Sequence, residues 1–136
     1  MEWYEKNYND GTGGSWKIVD KATGEKIGVV AYYFHKPEHK KAEVGFWILP
    51  QYWNKGVATE TLKAMIEYCQ QQKHIHRLEA FVEEGNIASS KVLEKVGFGY
   101  EGMMRECEIK NRKFVSLHIY GLITGRRDLS YTHIDT

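Results

Sequence analysis

The stretch "AEVGFWILPQYWNKGVATETL", Ala42 to Leu62, decides how this chain folds. Its first part, "AEVGFWIL", reads as a strand, closed by Pro50. From Gly56 the period changes. Ala58, Leu62, Met65, Ile66 and Cys69 recur at helical spacing, with Thr61, Lys63, Glu67 and Gln70 on the wetter side. This predicts an amphipathic helix from Gly56 to about Gln72, the longest in the chain. A helix N-terminus carries unpaired amides and a partial positive charge. Set directly after a strand, with glycine allowing close approach, it can hold an anion. Trp53 to Thr59 meets those conditions. The motif is neither the phosphate loop nor the GxGxxG fingerprint. The residues alone leave two readings open: a phosphate-bearing ligand at the start of the main helix, or a plain tight turn.

Working outward, "GTGG" (Gly11 to Gly14) is a flexible entry. "SWKIVDK", the turn signal "ATGE" and "KIGVVAYYF" make a hairpin. "HKPEHKK" is a charged loop before the strand at Ala42. After the main helix, "HRLEAFV" is a strand. "EEGNIASSKVLEKVGF" opens a second helix with Asn86 as its cap and closes it at Gly97. "GYEGMMREC" and "KFVSLHIYGLI" are two last strands around the turn "IKNR". The strand–helix–strand centre is a right-handed crossover with parallel strands, and the flanking hairpins are antiparallel. The fold class is therefore α+β: a mixed, mostly antiparallel sheet with a central parallel pair and helices on both faces. A single domain over residues 1–136 is expected, with its core at 15–123 and a polar tail at 124–136.

Composition narrows the function classes. A net charge of +1 gives no support to nucleic-acid binding. No apolar run approaches the roughly 20 residues of a membrane span. "MEWYEKNYNDGTGG" is too polar and acidic for a signal peptide. Cys69 and Cys107 form no metal or redox motif, so a cytoplasmic location with two buried thiols is expected. His35 and His39 are spaced like metal ligands, but Pro37 interrupts them, and no metal is expected.

The central motif resembles that of the GNAT acetyltransferase superfamily, and more narrowly the Rim-type branch acting on ribosomal-protein N-termini. That signature, Gln/Arg-x-x-Gly-x-Gly/Ala, is met here by Trp53, Asn54, Lys55, Gly56, Val57 and Ala58, with Trp53 in place of Gln/Arg and Asn54 where glycine is usual. "NIASSKVLEKVGFGYEGMMRE" is similar to the family's second half at Asn86, Ser89, Glu94, Lys95, Gly97, Phe98, Glu101, Gly102 and Arg105. "FVSLHIYGLI" resembles its closing strand, with Tyr120 in place and Ser116 departing from aspartate. The family's N-terminal strand and helices are expected to be missing, since the chain starts almost at the hairpin. The sheet edge left unpaired would favour a homodimer.

The resemblance implies acetyl transfer from acetyl-CoA, as cosubstrate, to a primary amine by direct attack. Lys55, Gly56, Val57, Ala58 and Thr59 would hold the pyrophosphate. The strand at Trp47 and Ile48 would pair with the pantetheine arm, and a backbone N–H near Phe46 to Ile48 would polarise the thioester. Asn86 would contact the arm. Glu43 is the expected general base and Ser89 the expected acid for the departing thiolate. Glu43 lies roughly 13 Å along the strand from Trp47, so a water relay is needed. The plainer readings are a solvated strand carboxylate for Glu43 and a serine spent on a helix amide for Ser89. The acceptor would be a protein N-terminus or a small-molecule amine. An acyl-CoA-binding module without turnover, or a polyamine or drug acetyltransferase drawing on Glu83, Glu84, Glu101, Glu106 and Glu108, are the alternatives.

Overall fold

The computed structural model describes residues 2–5 and 12–124. In chain order these form β1 (Glu2–Glu5), β2 (Gly14–Val19), β3 (Lys26–Lys36), β4 (Lys41–Ile48), a 3-10 turn (Pro50–Tyr52), α1 (Val57–Lys73), β5 (Arg77–Glu83), α2 (Ile87–Lys95), β6 (Gly99–Lys110) and β7 (Lys113–Ile123). One seven-stranded sheet runs in the order β1-β2-β3-β4-β5-β7-β6. Only the β4–β5 pair is parallel; every other neighbour is antiparallel. The expected mixed sheet with a central parallel pair is what is found.

Three details differ from expectation. A strand precedes the hairpin: Glu2–Glu5 pairs antiparallel with β2, from Glu2 opposite Val19 to Glu5 opposite Trp16. The β2 edge is therefore covered, which removes the reason given for a homodimer. The helices share one face instead of two. Both crossovers, β4–α1–β5 and β5–α2–β6, advance in the same direction across the sheet. With right-handed connections both helices must land on the same side. Their buried residues accordingly join one cluster with the strand face that carries Val30, Val44, Leu78, Ala80 and Val82. The third difference is Cys107, which lies exposed on β6, whereas Cys69 is buried as expected. β6 is exposed along nearly all its length, so a cysteine there has no core to enter.

The alternation of β3, β4 and β5 puts Tyr32, Ala42, Val44, Leu78 and Ala80 under the helices. Against them α1 lays Leu62, Met65 and Cys69, and α2 lays Leu93, all fully buried. Burying each such aliphatic side chain contributes about 1.5–3 kcal/mol. Trp16 fixes the outer end of α1, its ring 4.9 Å from that of Tyr68 and nearly perpendicular to it. The other face, with Glu43, Gly45 and Trp47 on β4 and Arg77, Glu79 and Phe81 on β5, carries no helix among the described residues.

Candidate active site

The parallel pairing stops early. β4 and β5 are matched only at Lys41–Arg77, Ala42–Leu78 and Glu43–Glu79. Beyond Glu43 the strands part, and β4 continues to Ile48 against β3 alone. The Leu49 N–H donates to the Ile27 carbonyl at 2.9 Å. Antiparallel ladders turn alternate residues toward the partner. Gly45 and Trp47 therefore spend their main-chain groups on β3, while Phe46 and Ile48 turn theirs toward the gap that β5 has left. The Ile48 carbonyl is taken by the Trp53 indole N–H at 2.8 Å. The N–H groups of Phe46 and Ile48 remain as cleft donors. Trp47, expected to pair through its backbone, offers only its side chain, which is 55% exposed.

The gap leads to the start of α1. Asn54 (φ 61°) and Gly56 (φ 79°) both take left-handed backbone conformations, which turn the chain from the 3-10 turn at Pro50–Tyr52 into the helix. Asparagine is among the few non-glycine residues that visit this region routinely, which explains how it can stand at this turn. Among the described residues no side chain caps α1, and its first ladder bond is Glu60 N–H to the Gly56 carbonyl. The amides of Val57, Ala58 and Thr59 are left without an intrahelical partner.

α2 starts beside this point with the opposite solution. The Asn86 side chain accepts from the Ser89 N–H at 3.2 Å and caps the helix. The amide that a first-turn serine could have satisfied is thus already paired. The Ser89 hydroxyl makes no hydrogen bond among the described residues.

These elements enclose a cleft of about 560 Å³, within the range of small-molecule sites. It brings together Trp47, Ile48, Gly56, Val57, Ala58, Thr59, Asn86 and Ser89. Two expected residues are not among its lining. The Lys55 ammonium sits over the Tyr52 ring, 5.8 Å from its centre. Glu43 lies at the apex where the strands part, on the helix-free face. Burial pushes its proton affinity up, the Glu79 charge adds to this, and Lys36 and Lys41 oppose it.

Lys91 and Lys95 also line the cleft, and sequence reasoning missed them. Their four-residue spacing on a helix was readable; which way that face points depends on where α2 docks. Neither pairs with an acid among the described residues. His118 and Tyr120 stand apart: Tyr120 is buried in the core, and the His118 ring bonds to the Tyr100 hydroxyl at 3.1 Å. Cys69, its thiol pushed up to about 12 by burial, is no nucleophile. Among the described residues, no helix is long and apolar enough to cross a membrane.

Residues 1–99 match the family model described as the acetyltransferase (GNAT) domain. The uncharacterized N-acetyltransferase YoaA of Bacillus subtilis (strain 168) is 29% identical over 119 residues, covering 88% of this chain and 67% of that protein. The ribosomal-protein-serine acetyltransferase of Escherichia coli (strain K12) is 27% identical over 99 residues, 73% of this chain and 55% of that one. Among solved structures, a probable acetyltransferase superimposes with a TM-score of 0.79 at 26% identity, over 85% of this chain and 63% of the other. The ribosomal-protein-S5-alanine acetyltransferase from Vibrio fischeri gives 0.80 at 23% identity, over 86% and 64%. The chain thus spans about two thirds of the length of these relatives, or less.

Proposed function

From the chain's membership of the GNAT acetyltransferase family, we propose that it transfers the acetyl group of acetyl-CoA to a primary amine, the N-terminus of a protein or a small-molecule amine. The observation that carries this reading is the parting of β4 and β5 after Glu43 and Glu79. It opens an apolar cleft with free strand amides at one end and an uncapped helix at the other. An extended, amide-bearing arm that ends in a pyrophosphate suits that arrangement. The Val57, Ala58 and Thr59 amides face its phosphates. The Phe46 or Ile48 N–H donates to the thioester oxygen as negative charge gathers there. Trp47 and Tyr52 offer ring faces, and the Asn86 side-chain NH2, whose oxygen is occupied by the cap, serves the arm.

An amine attacks only when neutral. Glu43, through a water, accepts the proton that the nitrogen sheds as the new amide forms. Its raised proton affinity suits that task better than an ordinary carboxylate. The C–S bond breaks, and the Ser89 hydroxyl, which is not used in the helix cap, hydrogen-bonds to the departing thiolate and relays it a proton while regaining one from solvent. A polyamine reading draws less support. Glu83 is held by Lys110 at 2.9 Å and Glu101 by Arg77 at 2.7 Å, and none of the five acids named for that role lines the cleft.

The test is release of the CoA thiol from acetyl-CoA on adding peptides with free serine or alanine N-termini, with spermidine as comparison. Amine-dependent release that falls about a hundredfold in Ser89→Ala or Glu43→Gln, with acetyl-CoA affinity kept, is the expected result. Tight acetyl-CoA binding with no release for any amine would instead favour a binding module without turnover.

A further inference from the structure

Three strands are tied together on the helix-free face beside Glu43. The Arg77 guanidinium on β5 donates through Nη1 and Nη2 to the two carboxylate oxygens of Glu101 on β6, at 3.1 and 2.7 Å. Its Nε donates to Glu79 Oε2 at 3.0 Å. β5 and β6 are not neighbours; β7 runs between them. The link crosses β7 at Gly121, which stands opposite both Glu79 and Gly99. A Cβ on Gly121 would collide with the Glu101 carboxylate and the Arg77 guanidinium. A glycine is the gap through which the clamp passes.

The clamped carboxylate is the one that faces Glu43. Glu79 and Glu43 are register partners at the last matched position before the strands part. Glu43 itself makes no hydrogen bond or ion pair among the described residues. The charged and titratable groups around it are Tyr33 and Lys36 from β3, Lys41 from its own strand, and Glu79 from β5 with Arg77 behind it. Lys41 lies 3.9 Å from Glu79.

We propose that Glu79, clamped by Arg77 and Glu101 across Gly121, is a positioning residue that sets the proton affinity of Glu43 in acetyl transfer. This rests on the reading of Glu43 as proton acceptor. A like charge held at a fixed place favours the protonated neighbour. A base raised toward the working pH takes a proton from an attacking amine more readily. The proton affinities of Glu43 and Tyr33 agree with this geometry: both are raised, by burial first and by the neighbouring carboxylate second.

The experiment is a side-chain carboxyl carbon NMR titration of Glu43 in the full chain, wild type against Glu79→Gln and Arg77→Gln, with melting temperature followed in each. Glu79→Gln is expected to move the Glu43 midpoint down. Arg77→Gln, which removes the cation offsetting Glu79, is expected to move it up. Opposite movements are a signature that mere loosening of the sheet does not produce. An unmoved midpoint in Glu79→Gln, or movement the same way in both variants, overturns the proposal. In turnover, Glu79→Gln should keep about threefold more of its plateau rate on the acid side than wild type. Glu43→Gln separates the two ideas. Full activity in that variant overturns Glu43 as proton acceptor. An inactive Glu43→Gln together with a flat Glu79→Gln titration overturns only the role of Glu79.

Discussion

The two helices follow the two parallel strands in the chain, and they begin differently. α2 is closed by its own sequence: Asn86 bonds back to the Ser89 amide. α1 is left open: Gly56 turns the chain with φ 79° and, among the described residues, no side chain caps it. Capping stabilises a helix by about 1 kcal/mol, so the longer helix forgoes a gain that the shorter one takes. The difference separates two uses of the same structural end. One terminus is finished within the protein and presents Ser89 to the cleft. The other keeps its donors and partial charge unspent, which is what the proposed function requires of it.

The contrast can be broken most sharply by filling the open end. Thr59→Glu sets a carboxylate at the third helical position of α1, where it meets the free amides. The variant should melt higher, by the equivalent of about 0.3–1 kcal/mol, yet bind acetyl-CoA about tenfold to a hundredfold more weakly, as read by calorimetric titration. The converse change, Asn86→Ala, should behave in the opposite way. It should cost about 0.5–2 kcal/mol in denaturant unfolding, with a smaller loss of acetyl-CoA affinity. If both variants lose the same affinity and the same stability, the two ends are not specialised.

A smaller effect is expected at the cleft's basic side. Lys91→Ala and Lys95→Ala should each weaken acetyl-CoA about fivefold at low salt, and this loss should shrink as salt is raised. Stability should hardly change, since neither lysine carries an ion pair among the described residues. The smallest effects are pH-dependent. The Arg77 guanidinium holds Glu101 below its usual carboxylate range. Its contribution is present above the unfolded-state value and is lost as pH falls through the lower folded value. Glu43 is raised, so its sign is reversed: the fold loses stability as pH rises from the unfolded value through the folded one. Glu43→Gln should therefore melt slightly higher than wild type at neutral pH and not at acid pH. Melting curves across pH check both signs.

The strand–turn–helix and both hairpins were legible because each rests on local pattern. Period 2 gives way to period 3.6 at Gly56, and Asn86 is a cap that can be read from its neighbours. What was not legible depends on placement. β1 exists because β2 offers an edge; "EWYE" alone carries no strand signal that its polar surroundings do not dilute. β6 runs on to Lys110 with little burial, held by its ladder with β7 and by the tight turn at Asn111 and Arg112, both with positive φ. No apolar alternation announces such a strand. The sharing of one face by both helices followed from two crossovers in the same direction, a fact of strand order. Lys55, one residue before the turn glycine, was expected among the anion ligands. The two left-handed residues on either side of it swing it onto Tyr52 instead.

The most direct test of the central claim, that the open end of α1 and the parted strands form a CoA site, is a thermal-shift titration of the wild-type chain and Thr59→Glu with acetyl-CoA, CoA and ATP. The account predicts a saturable shift for acetyl-CoA and CoA, equivalent to about 2.7 kcal/mol at 100 times the dissociation constant. ATP should give little, and Thr59→Glu should require at least tenfold more acetyl-CoA for the same shift. An equal response to ATP, or a Thr59→Glu curve that overlays wild type, would contradict it.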